Sequence, residues 1–154
     1  MCATRVGTSW RSFGPRSRET NRVSFKFINP GSLGVPRGYS NGVLAEPGGR
    51  LLFIAGQVGW DERQQIVSDD LVEQFDRALR NVITVATEAG ATAQTIARMV
   101  IYVTDRDEYR RRMKEIGARY RAQMGKHFPA MVLVEVAGLL EDRAKIEIDA
   151  TAIL

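Results

Sequence analysis

The sequence predicts a two-layer α/β sandwich, a sheet with two helices on one face. Three observations carry the prediction. Apolar or alternating runs of strand length recur toward both ends of the chain. Two central stretches carry apolar residues three and four positions apart, as amphipathic helices do. Read in order, the elements run β-β-β-α-β-α-β-β, and 154 residues suit one domain with a sizeable core.

Residues 1–22 stand apart. They hold five arginines against one glutamate and no apolar periodicity. They read as a flexible, basic N-terminal extension ahead of a domain spanning 23–154. An Arg-rich, acid-poor organelle transit peptide is the alternative, and Trp10 and Phe13 docking on a partner subunit is another. The extension accounts for the whole net charge of +4, because residues 23–154 balance 17 basic against 17 acidic side chains. The body therefore lacks the basic footprint of a nucleic-acid binder.

Cys2 is the only cysteine and His127 the only histidine. An intrachain disulfide is ruled out, and one chain cannot assemble a His/Cys zinc cluster. A Ser–His–Asp triad has a single candidate base. No apolar run approaches the ~20 residues of a membrane span, and no signal-peptide core stands near the start. These points lead to the expectation of a cytoplasmic protein without metal or cofactor.

The first strand is Ser24–Ile28, which alternates polar and apolar. Asn29-Pro30-Gly31 is turn chemistry. Tyr39–Ala45 and Arg50–Val58 read as two strands joined by Glu46-Pro47-Gly48-Gly49, a predicted hairpin. Gly56 near the end of that third strand marks a bulge or a close approach to the backbone. Asp69 and Asp70 precede a stripe at Leu71, Phe75, Leu79, Val82 and Ala86, a helix that Gly90 stops. Thr92 caps a short turn before the strand Arg98–Thr104. Asp105 or Asp107 opens a second helix with its stripe at Tyr109, Met113, Ile116, Tyr120 and Met124, closed by Gly125. Arg110, Arg111, Arg112 and Lys114 fall on its other faces and read as solvated.

The last two strands, read as a neighbouring pair, organise the chain. Met131–Val136 is apolar except for Glu135, as a strand buried on both faces would be. Residues 145–152 alternate, with Ile146, Ile148, Ala150 and Ala152 on one side and Lys145, Glu147, Asp149 and Thr151 on the other. Glu147 is thus a carboxylate at the centre of a strand, either solvated or functional. Two helices leave one sheet face with apolar side chains to cover, which points to self-association.

The run Phe128-Pro129-Ala130, with Val134-Glu135-Val136-Ala137 and then Lys145-Ile146-Glu147-Ile148-Asp149, resembles the C-terminal signature of the RidA family, also called YjgF or L-PSP. The resemblance continues upstream through Gly38-Tyr39-Ser40, Phe53-Ile54-Ala55-Gly56-Gln57-Val58 and Tyr102-Val103-Thr104-Asp105. It covers about residues 25–153. It implies a chorismate-mutase-like fold with a mixed sheet, assembled as a homotrimer with clefts between subunits. Those clefts take a small-molecule substrate and hasten hydrolysis of imines or enamines to ketones and ammonia.

Such chemistry needs a cation for the substrate carboxylate and polar groups that hold water and move a proton. The family pattern assigns the catalytic roles to Glu147 and Tyr39, and substrate contacts to Gly56, the Leu133 backbone, Met113 and Met131. The family's carboxylate-binding arginine follows Pro-Ala; here Met131 follows Pro129-Ala130. Losing a bidentate arginine removes a contact worth ~1.5–3 kcal/mol. Arg37, Lys126 and His127 are candidate replacements from loops. The implied function is an imine or enamine deaminase, or related hydrolase, on an altered substrate. A ligand-binding or chaperone-like trimer without turnover is the alternative, and an endoribonuclease the third reading.

Overall fold

The computed structural model describes residues 24–45 and 49–154. The basic extension, including Trp10 and Phe13, lies outside the described residues, as does most of the 46–49 link.

Among the described residues six strands follow the expected order, and three helices stand where two were expected. They are β1 (Phe25–Ile28), β2 (Gly42–Ala45), β3 (Leu51–Val58), α1 (Leu71–Glu88), β4 (Ile96–Val103), α2 (Arg106–Arg111), α3 (Met113–Met124), β5 (Ala130–Glu135) and β6 (Ile146–Ile153). The main sheet has the order β3-β6-β4-β5. It is mixed: β4 and β5 run parallel, and the other pairs antiparallel.

The alternation of β6 builds the core. Ile146, Ile148, Ala150 and Ala152 are buried, with Met99, Ile101 and Val103 of β4 beside them in register. The α1 stripe of Leu71, Phe75, Leu79, Val82 and Ala86 packs onto that face, joined by Ile116, Tyr120 and Met124 of α3. Asp70 caps α1, its carboxylate accepting from the Val72 and Glu73 N–H groups. At the far end Gly90 adopts φ +87°. There the Ala91 N–H donates to the Ala86 carbonyl and the Gly90 N–H to the Thr87 carbonyl, a Schellman ending.

Four expectations need correction. β2 does not pair with β3: it forms a two-stranded ribbon with β1, and β3 pairs with β6. Pairing with β6 sets Leu52 and Ile54 beside Ala152 and Ala150, over the core, which a short half-exposed β2 could not offer. The last two strands are not neighbours, because β4 lies between them. β5 is therefore an edge strand within one chain and is not buried on both faces; Val132 and Val134 are 45% and 38% exposed. The second helix is broken at Arg112, whose guanidinium is drawn to Asp70 and Glu115.

The ribbon is fastened at the β5 end of the sheet. The Ser40 N–H donates to the Pro129 carbonyl and its hydroxyl to the Phe128 carbonyl at 2.7 Å. The Phe25 ring stacks on His127 with centroids 6.2 Å apart.

A cleft at the sheet edge and a carboxylate on the open face

β5 presents Met131 and Leu133 in register with Met99 and Ile101, so these side chains face the helix side of the sheet. The helices cover that side incompletely at the edge, and a cavity of about 360 Å³ remains. Tyr39, Met113, Met131 and Leu133 all line it. A second lobe of about 330 Å³ adjoins it and shares Met113 and Met131. Met113 opens α3 immediately after the break and is 59% exposed, so it faces the cleft instead of completing the core.

Glu147 and Gly56 lie elsewhere, together. Glu147 is half-buried on the open sheet face, beside Tyr102 of β4 in register. β3 changes register between Ile54 and Gln57, a bulge that takes in Ala55 and Gly56. A Cβ on Gly56 would land on the Glu147 carboxylate, 2.7 Å from its Cδ. Glycine is what lets the carboxylate lie against the strand. Among the described hydrogen bonds and ion pairs none involves the Glu147 side chain, so it is not tied down by neighbouring backbone groups. Asp149, two residues on, is engaged: it accepts from the Tyr102 hydroxyl at 3.1 Å and lies 3.7 Å from Arg98. That hydrogen bond, aided by partial burial, raises the Tyr102 phenol above its ordinary range.

The candidate replacement cations separate clearly. Arg37 lines the second lobe. Lys126 is exposed and lines neither lobe. His127 is buried, and its Nε2–H donates to the Ile96 carbonyl at 2.7 Å. That bond and the Phe25 stack give it a structural task.

Sequence reasoning missed Arg106, Tyr109 and Arg110, which also line the first lobe. Tyr109 was read as helix stripe and Arg110 as solvated surface. Burial pushes the Tyr109 phenol up to about 12, so near neutral pH it is a hydrogen-bond donor and not a base. Tyr120, at the back of the second lobe, donates to the His127 carbonyl at 2.7 Å, and burial raises its phenol further.

Fold and cleft together define an α/β sandwich with a small-molecule-sized cavity at its sheet edge. Residues 32–154 match the family model described as Endoribonuclease L-PSP. The chain is 34% identical over 105 residues to a RutC family protein of Pyrococcus abyssi, covering 68% of this chain and 79% of that one. It is 30% identical over 125 residues to the human 2-iminobutanoate/2-iminopropanoate deaminase, covering 80% of this chain and 83% of the relative. A crystal structure of the Rid-family protein YyfB from Yersinia pestis aligns with a TM-score of 0.75 at 33% identity, over 84% of this chain and 98% of that one. The chain belongs to the RidA family, also called YjgF or L-PSP. Among the described residues, no helix is long and apolar enough to cross a membrane.

Proposed function

We propose that this chain is a cleft enzyme of the RidA class, an imine or enamine deaminase or related hydrolase. Its substrate differs from the small 2-imino acids named for its deaminase relatives. The observation that carries the reading is convergence: Tyr39, Met113, Met131 and Leu133, from three separate stretches of chain, line one cavity. In the reaction, water adds to the C=N carbon and a proton passes to nitrogen. The C–N bond then breaks, leaving a ketone and ammonia. Glu147 is the proton-shuttling group and Tyr39 a hydrogen-bond partner. The Leu133 backbone positions the substrate.

Glu147 and the cleft lie on opposite faces of one sheet, so a single copy does not bring them together. A neighbouring copy does so in this reading, and the exposed apolar side chains Phe53, Val132 and Val134 on the open face support a homotrimer. Light scattering at micromolar concentration should give a trimer mass; a monomer overturns the assembly.

The test of the chemistry is ammonia or keto-acid release from freshly generated imines, with the uncatalysed rate subtracted. Wild-type protein should be poor on the imine of pyruvate, whose carboxylate meets the Met131 thioether. Met131→Arg should raise that rate about tenfold or more, the equivalent of roughly 1.4 kcal/mol restored in the transition state. Glu147→Gln in that background should abolish the gain. Gly56→Ala should do the same, because the new methyl displaces the carboxylate. A folded Met131→Arg variant without gain favours the second reading, a ligand-binding trimer without turnover. That reading draws its support from Met131 itself. The nuclease reading finds little: the sole histidine is buried and bonded to a backbone carbonyl.

A further inference from the structure

The cleft beside β5 carries charge of one sign only. Its interior is apolar, walled by Ile101, Met113, Met131 and Leu133. Arg106 and Arg110 line one lobe, and Arg37 and Arg121 the other. No aspartate or glutamate lines either lobe. Chance does not favour that in a body with as many acidic as basic side chains.

Arg106 and Arg110 are four apart on α2 and share the cleft-facing side. Like charges at this spacing repel, so the arrangement costs the helix stability. The Glu135 carboxylate accepts from the Arg106 backbone N–H at 2.9 Å, and among the described residues no ion pair ties it to the guanidinium. Arg106 has only a loose contact with Asp107 at 3.7 Å, and Arg110 has no ion pair among the described residues. By contrast Arg112, two positions on, is spent on Asp70 and Glu115 and is not available to a ligand.

We propose that α2 supplies the anion anchor that β5 lacks: Arg106 and Arg110 hold the carboxylate of a ligand whose apolar body fills the methionine-walled cleft. The inference rests on reading that cleft as the ligand site. The ligand class is an organic carboxylate with a body the size of a phenylalkyl or branched alkyl group. A lobe of about 360 Å³ with a second one adjoining is far more than a three- or four-carbon acid fills. Met113 and Met131 are unbranched and polarisable, suited to an irregular apolar body. Two guanidinium forks at the mouth match a carboxylate in geometry as well as charge.

Isothermal titration calorimetry at low salt, with the full chain, tests this. The probes are 4-phenylbutyrate, its neutral isostere 4-phenylbutyramide, and butyrate. Phenylbutyrate should bind at least tenfold tighter than either of the others. Arg110→Gln should weaken phenylbutyrate about tenfold, Arg110→Lys by less, and Arg119→Gln, on a surface away from the cleft, not at all. Equal binding of acid and amide, butyrate binding as tight as phenylbutyrate, an unaffected Arg110→Gln variant, or no binding of phenylbutyrate each overturns the proposal. The acid–amide comparison uses the unaltered protein, so it decides even where a variant misfolds. Ammonia release is measured separately. Phenylbutyrate binding without turnover of any imine sinks the enzyme and keeps the anchor. Turnover of a larger imine without phenylbutyrate binding does the reverse.

Discussion

Two helical stretches lie along the same sheet and follow opposite rules. α1 runs 18 residues without interruption, capped at both ends, with Leu71, Phe75, Leu79, Val82 and Ala86 all buried. Its buried polar residue, Gln74, is fully satisfied: the amide donates to the Ser68 and Arg143 carbonyls and accepts from the Lys145 N–H. α2 and α3 together cover a similar length but break at Arg112. α2 half-buries Tyr109 and buries no residue fully, and α3 fully buries only Ile116, Tyr120 and Met124. The sequence stripe is nearly as regular in the second stretch as in the first. The difference is what each stripe meets. One meets a sheet and closes a core; the front of the other meets a cavity, so Met113 is left exposed and Tyr109 only partly packed.

The comparison can be broken by truncating each stripe. Leu79 has no exposure, and Leu79→Ala should cost about 2–5 kcal/mol in urea unfolding, lost transfer energy plus a cavity. Met113→Ala should cost less than about 1 kcal/mol, since half its surface already meets solvent. Comparable losses would mean that the cleft is part of the core. A smaller effect than that of Leu79→Ala is expected at Gln74. Gln74→Leu leaves the Lys145 N–H and two carbonyls without their partner, about 1–3 kcal/mol. An unchanged urea midpoint would show that the segment around Arg143 relaxes freely.

The same contrast explains what the sequence could disclose. α1, β4 and β6 were legible because their burial is set by local periodicity against one sheet face. The order of strands was not, because it depends on which distant strand offers the better apolar partner, and β3 finds it in β6. The apolar run of β5 describes a strand with two covered faces equally well as an edge strand awaiting a second copy. Of the six residues singled out, Tyr39, Met113, Met131 and Leu133 line one cavity, and Gly56 and Glu147 lie together elsewhere. The pairing of Gly56 with Glu147 was foreshadowed by reading that glycine as a bulge or a close approach to the backbone, without saying what approaches. Arg106 and Arg110 escaped notice because nothing local separates a solvated arginine from one at a cleft mouth. The break at Arg112 escaped for a related reason: the Arg112 guanidinium meets Asp70, 42 positions away.

That break allows the smallest and most specific test. The Arg112 guanidinium donates to Asp70 at 2.9 Å and to both oxygens of Glu115, tying the start of α1 to the junction of α2 and α3. Hydrogen bonding to Arg112 is the leading reason that Asp70 and Glu115 are held below the ordinary carboxylate range, and the two acids raise Arg112 in turn. A carboxyl depressed on folding contributes stability at pH values above its unfolded value. That contribution drains away as pH falls through the folded value. The unfolded references are 3.8 for Asp70 and 4.5 for Glu115, so the contribution should be complete at pH 7 and decline below about pH 4.5. Arg112→Gln should therefore lower the melting temperature at pH 7, and the deficit against wild type should narrow as pH drops toward 3. It should also narrow at high salt, because all three side chains are partly exposed and the attraction is screened. Asp70 keeps its backbone bonds to Val72 and Glu73, so α1 should lose little helicity in the variant. A deficit that stays constant from pH 7 to pH 3 would mean that Arg112 acts by packing its aliphatic stem. The two helices would then be joined by shape and not by charge, and the break would need a cause other than this ion pair.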